Sequence, residues 1–252
     1  MQRGENSMDN FESYPTHCSV CGFTAKKRIN PKKAVRDRFA CVKCKSRLRH
    51  RDLAQIVLDE VAPGSSSLYQ FRNTPEFRSI SIYEPGIRGP FVEMLSGCEN
   101  YTQSYFFHDR PLGSIESGVR CEDLRALTFD DHSFDVVVSI DVFEHVFDPA
   151  TAFGEILRIL KPGGIHVFSV PLTFPLRKRS VTRASEVDGQ IVYHRPAHYH
   201  VAGNDSKSLV VTDWGADIVK MHADLGMRLQ IIRRSSPLEP HHECASLLAR
   251  KL

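Results

Sequence analysis

Four of the seven cysteines stand as two Cys-x-x-Cys pairs, Cys18 with Cys21 and, nineteen residues on, Cys41 with Cys44. Each pair bends into a tight knuckle whose two thiolates reach one ion, and two knuckles complete a tetrahedral Zn2+ site. Gly22 follows the second thiolate, where the chain must turn sharply. Four soft anionic ligands leave no open coordination position, so the zinc reads as structural; a redox pair or unpaired thiols are the alternatives. Cys98, Cys121 and Cys244 lack partners at such spacing and read as buried free thiols.

A second group of reactive side chains is histidine-rich. His194, His198 and His200 fall in the segment 173–208 with Arg177, Lys178, Arg179 and Arg183, and His145 follows Glu144 directly. Imidazole titrates near neutrality and can take a proton from a hydroxyl nucleophile, which makes His200 the candidate base and His145 a second. The His-x3-His-x-His spacing can also bind metal, although no carboxylate is interposed; polar filling of a loop is the plainer reading. A third group is the run Glu84, Pro85, Gly86, Ile87, Arg88, Gly89. Its glycines permit close backbone approach to a ligand and its carboxylate can attract a cation; a simple strand-to-helix turn is the plainer reading.

These groups need elements to hold them. From about residue 79, β-rich runs alternate with helical patterns. Residues 79–83, 134–140 and 164–170 read as strands, and a helix opened by Asp148 and Pro149 buries Phe153, Ile156, Leu157 and Leu160 before Pro162–Gly164 ends it. Strand, helix, strand at this spacing predicts an α/β fold with a parallel sheet and right-handed crossovers. Upstream, Leu53, Ile56, Val57 and Val61 form one helical stripe that Asp52 can cap and Pro63 ends. Downstream, Asp213 can cap a helix reaching Gly226, followed by a terminal hairpin of 228–233 and 245–249. The 252 residues, 41% hydrophobic and 25% charged, suffice for one sizeable core with a small appendage and exclude a disordered or fibrous chain. No apolar stretch is long enough to span a bilayer, and the first residues lack the apolar core of a secretory signal. The expectation is a soluble, cytoplasmic protein with no membrane partner.

Net charge is +3, yet residues 26–51 carry twelve Lys/Arg against the single acid Asp37, so the remainder is net acidic. The basic segment could grip phosphates, as a nucleic acid would supply, or merely offset the zinc–thiolate charge on a solvated face. No aromatic interleaving marks a base-stacking surface, and Phe23 and Phe39 read as ribbon core.

The segment from Cys121 to Gly164 contains Asp123 and Leu124, then Phe134–Ile140, Asp141, the Glu144–His145 pair and Leu160-Lys161-Pro162-Gly163-Gly164. With the Glu84–Gly89 loop, this series resembles the class I S-adenosylmethionine-dependent methyltransferases of the type 11 kind, densely over residues 79–172. Residues 39–51 resemble the four-cysteine zinc ribbon that precedes this domain in one subfamily, and Tyr199-His200 and Thr212–Gly215 resemble its C-terminal motifs. The resemblance implies a Rossmann-like seven-stranded sheet over residues 51–252, a zinc ribbon over 1–50 and a substrate-side insertion near 173–208. It implies S-adenosylmethionine as cofactor. Glu84, Gly86 and Gly89 would line its methionine and ribose side, Asp123 and Leu124 its adenine, and Ile140 and Asp141 its methionine end. Relatives hold the ribose with an acid after the second strand; Tyr105, beside Gln103 and Ser104, stands there instead. Glu144-His145 chiefly shapes the pocket in many relatives.

The expected reaction is SN2 methyl transfer to a hydroxyl of a sugar or other small molecule. An RNA or protein methyltransferase docking through the basic segment is the alternative, as is a non-catalytic methyltransferase-like binding module.

Overall fold

A computed structural model describes residues 13–28, 40–201, 207–236 and 239–252. Phe39 and the middle of the basic segment, residues 29–39, lie outside the described residues, and the side chain of Cys244 is likewise not described. Strands β1 (Ser13–His17) and β2 (Thr24–Arg28) form an antiparallel hairpin whose connection carries Cys18 and Cys21. Helix α1 (Leu48–Val61) leaves the second cysteine pair, and α2 (Leu68–Phe71) and a 3-10 turn at Glu76–Ser79 lead into the body.

The body is built on strands β3 (Ile82–Pro85), β4 (Tyr101–Tyr105), β5 (Ile115–Glu116), β6 (Val119–Cys121), β7 (Phe134–Ile140) and β8 (Leu160–Ser169), with helix α3 (Pro90–Leu95) after β3 and α4 (Pro149–Ile159) between β7 and β8. Short strands β9 (Val181–Thr182), β10 (Ala184–Val187), β11 (Gln190–Tyr193), β12 (Tyr199–Val201), β13 (Lys207–Leu209) and β14 (Thr212–Asp213) pair among themselves outside the main sheet. Helix α5 (Ile218–Asp224), β15 (Met227–Ser236) and β16 (Glu239–Lys251) complete the chain.

The main sheet has the order β15-β16-β8-β7-β3-β4-β6-β5, parallel from β8 to β6 and antiparallel at both ends. This is the expected Rossmann-like α/β fold with a mostly parallel sheet, but with eight strands rather than seven. The extra one, β5, folds back on β6 through Ser117 and Gly118, whose φ values of 50° and 80° suit a two-residue hairpin turn. The terminal hairpin forms as expected, over longer strands.

Three boundaries differ from expectation. The first body strand starts at Ile82, not Ser79, because the Ser81 N–H and hydroxyl both donate to the Asp135 carboxylate, taking that residue out of the ladder. Helix α1 starts at Leu48, so the boundary expected after residue 50 falls inside it; Asp52 does not cap it but lies buried among the residues of its packed face. Asp213 caps no helix. It sits in β14 and accepts from Arg183 at 2.9 Å, while α5 begins after Asp217.

Alternation along the strands sends Val136, Val138, Ile165 and Val167 to one face and Tyr83, Val137 and Phe168 to the other. The first face packs α1, α2 and the cysteine pairs in one continuous apolar cluster; the second packs Phe143, α4, Trp214 and Ile218. Close approach near Trp214 requires a glycine: a Cβ on Gly215 would stand 2.4 Å from the Arg179 carbonyl carbon. Among the described residues no helix is long and apolar enough to cross a membrane.

Candidate active site and cysteine centre

The two cysteine knuckles have matching turns. Gly22 N–H donates to Cys18 O at 2.8 Å and Lys45 N–H to Cys41 O at 3.0 Å, with φ of 73° and 59° at Gly22 and Lys45. The left-handed backbone expected at Gly22 is present, and the second knuckle places a lysine in the same conformation. Cys18 and Cys44 sulfurs are 3.7 Å apart, as are those of Cys21 and Cys41, and all four lie within 4.8 Å of one another. Sulfurs bound tetrahedrally to one Zn2+ at about 2.3 Å would stand about 3.8 Å apart, so the donor set and spacing fit that ion. Ser46 Oγ lies 3.2 Å from both Cys18 and Cys44 sulfurs and can donate to one thiolate.

At the carboxyl ends of the parallel strands lies a cleft of ≈1070 Å³. Open α/β sheets bind their ligands there. Gly86 follows β3, Tyr105 ends β4, Asp123 and Leu124 follow β6, and Ile140 and Asp141 stand at the end of β7; all six line the cleft. Glu84 and Gly89 stand off this wall. Glu84 is buried beneath it, accepting a 2.6 Å bond from the Tyr101 hydroxyl, and burial pushes its carboxyl up to about 8. Gly89 precedes α3 with φ 126°.

The two aspartates of the cleft, Asp123 and Asp141, are held by arginines that sequence reasoning did not single out. Arg125 grips Asp123 through Nε and Nη2, at 3.1 and 2.8 Å, and its own N–H adds a third bond. Burial works upward on Asp123, but the hydrogen bonds and charge of Arg125 outweigh it and hold the carboxyl below its ordinary range. The remaining Nη1 of Arg125 reaches Glu186 on β10 at 2.8 Å, tying the cleft to the 173–208 segment, from which Glu186, Ile191 and Ser208 line it. Asp141 accepts from Ser169 Oγ at 2.7 Å and pairs with Arg49 of α1 at 3.0 Å. These contacts hold it at φ 52°, an unusual conformation for a non-glycine residue.

Of the three histidines of 194–200, His198 and His200 meet ring edge to face at 5.4 Å and His194 stands apart. His194 contacts Ser185 Oγ at 2.9 Å, and only His200 reaches the turn after β7. There His200 Nδ1 lies 3.4 Å and His145 Nε2 3.7 Å from Glu144 Oε1. The carboxylate missing between the histidines in sequence is thus supplied by the residue before His145, brought in by the Phe143–His145 turn. The Glu144 side chain is fully buried; desolvation, with the charge of Asp141 adding, pushes it up to about 8. Burial also lowers His145, whose Nδ1 stands 2.7 Å from the Leu209 carbonyl.

Residues 100–168 match a family model described as a methyltransferase domain. A probable S-adenosylmethionine-dependent methyltransferase of Mycolicibacterium smegmatis is 42% identical over 53 residues, 21% of this chain and 21% of that protein. The 2-methyl-6-phytyl-1,4-hydroquinone methyltransferase of a Synechocystis species is 44% identical over 62 residues, 21% of this chain and 20% of that one. The match thus spans about a fifth of the length of these relatives. Among solved structures, an S-adenosylmethionine-bound amino pentose methyltransferase from Micromonospora echinaspora is 11% identical with a TM-score of 0.47, covering 83% of this chain and 94% of its own. The fold assignment rests on the strand order described above. Residues 100–168, which bring Tyr105, Asp123, Leu124, Ile140, Asp141 and His145 to the cleft, are the part of this chain that is similar to the methyltransferase domain family.

Proposed function

We propose that the chain is an S-adenosylmethionine-dependent methyltransferase that transfers a methyl group by SN2 displacement to a hydroxyl of a sugar or other small molecule. The observation that carries this reading is the cleft: six of the eight residues expected to hold the cofactor line one wall at the carboxyl ends of the strands. S-adenosylmethionine, when bound, supplies a methyl carbon on a sulfonium that leaves as a neutral thioether. The protein's part is to align the acceptor with that methyl and to exclude water. Asp123 would accept from the adenine amino group, with Leu124 against the ring. Gly86 allows close approach of the main chain, Tyr105 takes the ribose side and Ile140 with Asp141 the methionine side. Glu84, buried behind the loop, would support it from below through its bond to Tyr101.

Cys18, Cys21, Cys41 and Cys44 would hold a structural Zn2+, on the strength of their sulfur spacing. Cysteines used as thiolates rather than disulfides suit a reducing compartment such as the cytoplasm. Of the basic segment, Arg49 spends its charge on Asp141 inside the molecule, which favours a small acceptor over an RNA held by that surface.

Titration calorimetry of S-adenosylmethionine into zinc-replete protein tests the reading. Saturable binding is expected, weakened about tenfold or more in Asp123→Ala, which removes a charged hydrogen-bond acceptor. A second reading, a non-catalytic binding module, is favoured by the arginines already seated on Asp123 and Asp141. Folded protein that fails to bind at millimolar cofactor would establish it instead.

A further inference from the structure

We propose that Glu144, His145 and His200 form a binding site for one divalent transition-metal ion on the wall of the cleft, separate from the four-cysteine centre. Their donor atoms all lie within 4.8 Å of one another, and Glu144 Oε1 stands 3.4 Å from His200 Nδ1 and 3.7 Å from His145 Nε2. Donors bound to one ion at about 2.0–2.2 Å stand about 3–3.5 Å apart, so small side-chain adjustments close the site.

Two observations say that this space is made for a cation. Among the described residues no side chain donates a hydrogen bond to either buried oxygen of Glu144, and only its own backbone N–H and the charge of Arg49 favour the carboxylate there. The second concerns His145. Its Nδ1 lies 2.7 Å from the Leu209 carbonyl, which can only accept, so Nδ1 carries the proton. Neutral imidazole then presents the Nε2 lone pair toward Glu144 Oε1, 3.7 Å away, the nitrogen a metal ion would use. A backbone carbonyl on the far nitrogen is also how metal-binding histidines are commonly oriented. The His145 and His200 rings meet edge to face with centroids 5.1 Å apart, and the His198 ring meets His200 in the same way at 5.4 Å.

The frame is fixed on both sides. Glu144 and His145 ride the turn that ends β7, and the Glu144 carbonyl accepts from Val211 N–H at 2.7 Å. His200 comes in on β12. The Glu144 side chain is sealed from solvent, while those of His145 and His200 are 22% and 34% exposed, so open coordination positions would face outward; His145 lines the cleft. Two imidazoles and one carboxylate suit Zn2+, Mn2+ or Fe2+ and leave room for an incoming oxygen ligand.

The role of the ion rests on the methyltransferase reading. An acceptor hydroxyl on an open position would be acidified and give its proton to water. Its oxygen lone pair would form the new C–O bond as the C–S bond breaks and sulfur keeps that electron pair. His145 and His200 then serve as ligands rather than as general bases.

The test is titration of Mn2+ into full-length protein whose zinc has first been brought to one ion per chain, enough for the cysteine centre alone, counting free ion by electron paramagnetic resonance, with Co2+ absorption separating nitrogen and oxygen ligation from thiolate ligation. One ion per chain is expected beyond the cysteine centre. His145→Ala and His200→Ala should each weaken it at least tenfold, while His194→Ala should not. Circular dichroism of each variant excludes unfolding as the cause. Absence of both ions from folded protein, or equal affinity in the two histidine variants, overturns the site. Calorimetry with S-adenosylmethionine on the same sample separates the two ideas. Metal without cofactor binding retains the site and rejects the methyltransferase; cofactor without metal does the reverse.

Discussion

Glu84 has the strongest single-residue consequence outside the cleft wall. It is buried, the one hydrogen bond to its carboxyl among the described residues comes from Tyr101, and its pKa is raised from 4.5 to about 8. Between those values the folded chain keeps a proton that the unfolded chain has lost. The stability this group contributes is therefore complete below pH 4.5 and falls as pH rises through 8. Glu84→Gln keeps the shape without the titration. Urea unfolding at pH 5 and pH 8 should show the variant losing less stability than the parent over that interval, by a few kcal/mol. An unchanged difference would mean that Glu84 is ionised in the native state. At this scale the sequence revealed residue types better than pairings. Asp123, Leu124, Ile140 and Asp141 line one cleft. Glu144 as partner of His200, and Arg49 and Arg125 as partners of Asp141 and Asp123, depend on contacts between distant segments or on side-chain direction, which no local pattern encodes.

At the scale of elements, α4 shows how a local signal translates into structure. Asp148 accepts from Thr151 N–H at 3.1 Å and from its hydroxyl at 2.6 Å, Pro149 takes the first helical position, and Phe153 and Ile156 fill the core beneath the sheet. Asp148→Ala should cost about 1 kcal/mol of stability, read as a lower denaturation midpoint with an unchanged slope. A shift within error would mean that packing alone defines the helix start. The same signals failed at Asp52 and Asp213, for a common reason. Both residues lie where an N-cap is plausible, but burial of Leu53–Leu58 extends α1 backwards past Asp52, and Arg183 claims Asp213 for β14. Strand existence was readable from apolar runs; strand starts were not, since the Ser81–Asp135 contact that delays β3 spans 54 positions.

On the scale of the whole molecule, the cysteine centre and the cleft are parts of one structure. Cys18, Cys21 and Cys41 belong to the same apolar cluster as Leu53 and Ile56 of α1 and Val136 and Val138 of β7. Helix α1 begins three residues after Lys45, and its first turn carries Arg49 to Asp141. A metal at the cysteines would therefore fix the start of α1, and α1 fixes the Asp141 carboxylate in the cleft. Cys44→Ser, which leaves three thiolates, should loosen that start and weaken S-adenosylmethionine binding although it lies outside the cleft. Arg49→Gln, which leaves all four cysteines and the apolar face of α1 intact, should reproduce part of the loss. Calorimetry of both variants, alongside their zinc content, distinguishes this coupling from a simple loss of folding. If Arg49→Gln binds as the parent does and Cys44→Ser does not, the connection runs through the shared apolar cluster. If both bind normally, the cysteine centre supports its own hairpin alone and the cleft stands without it.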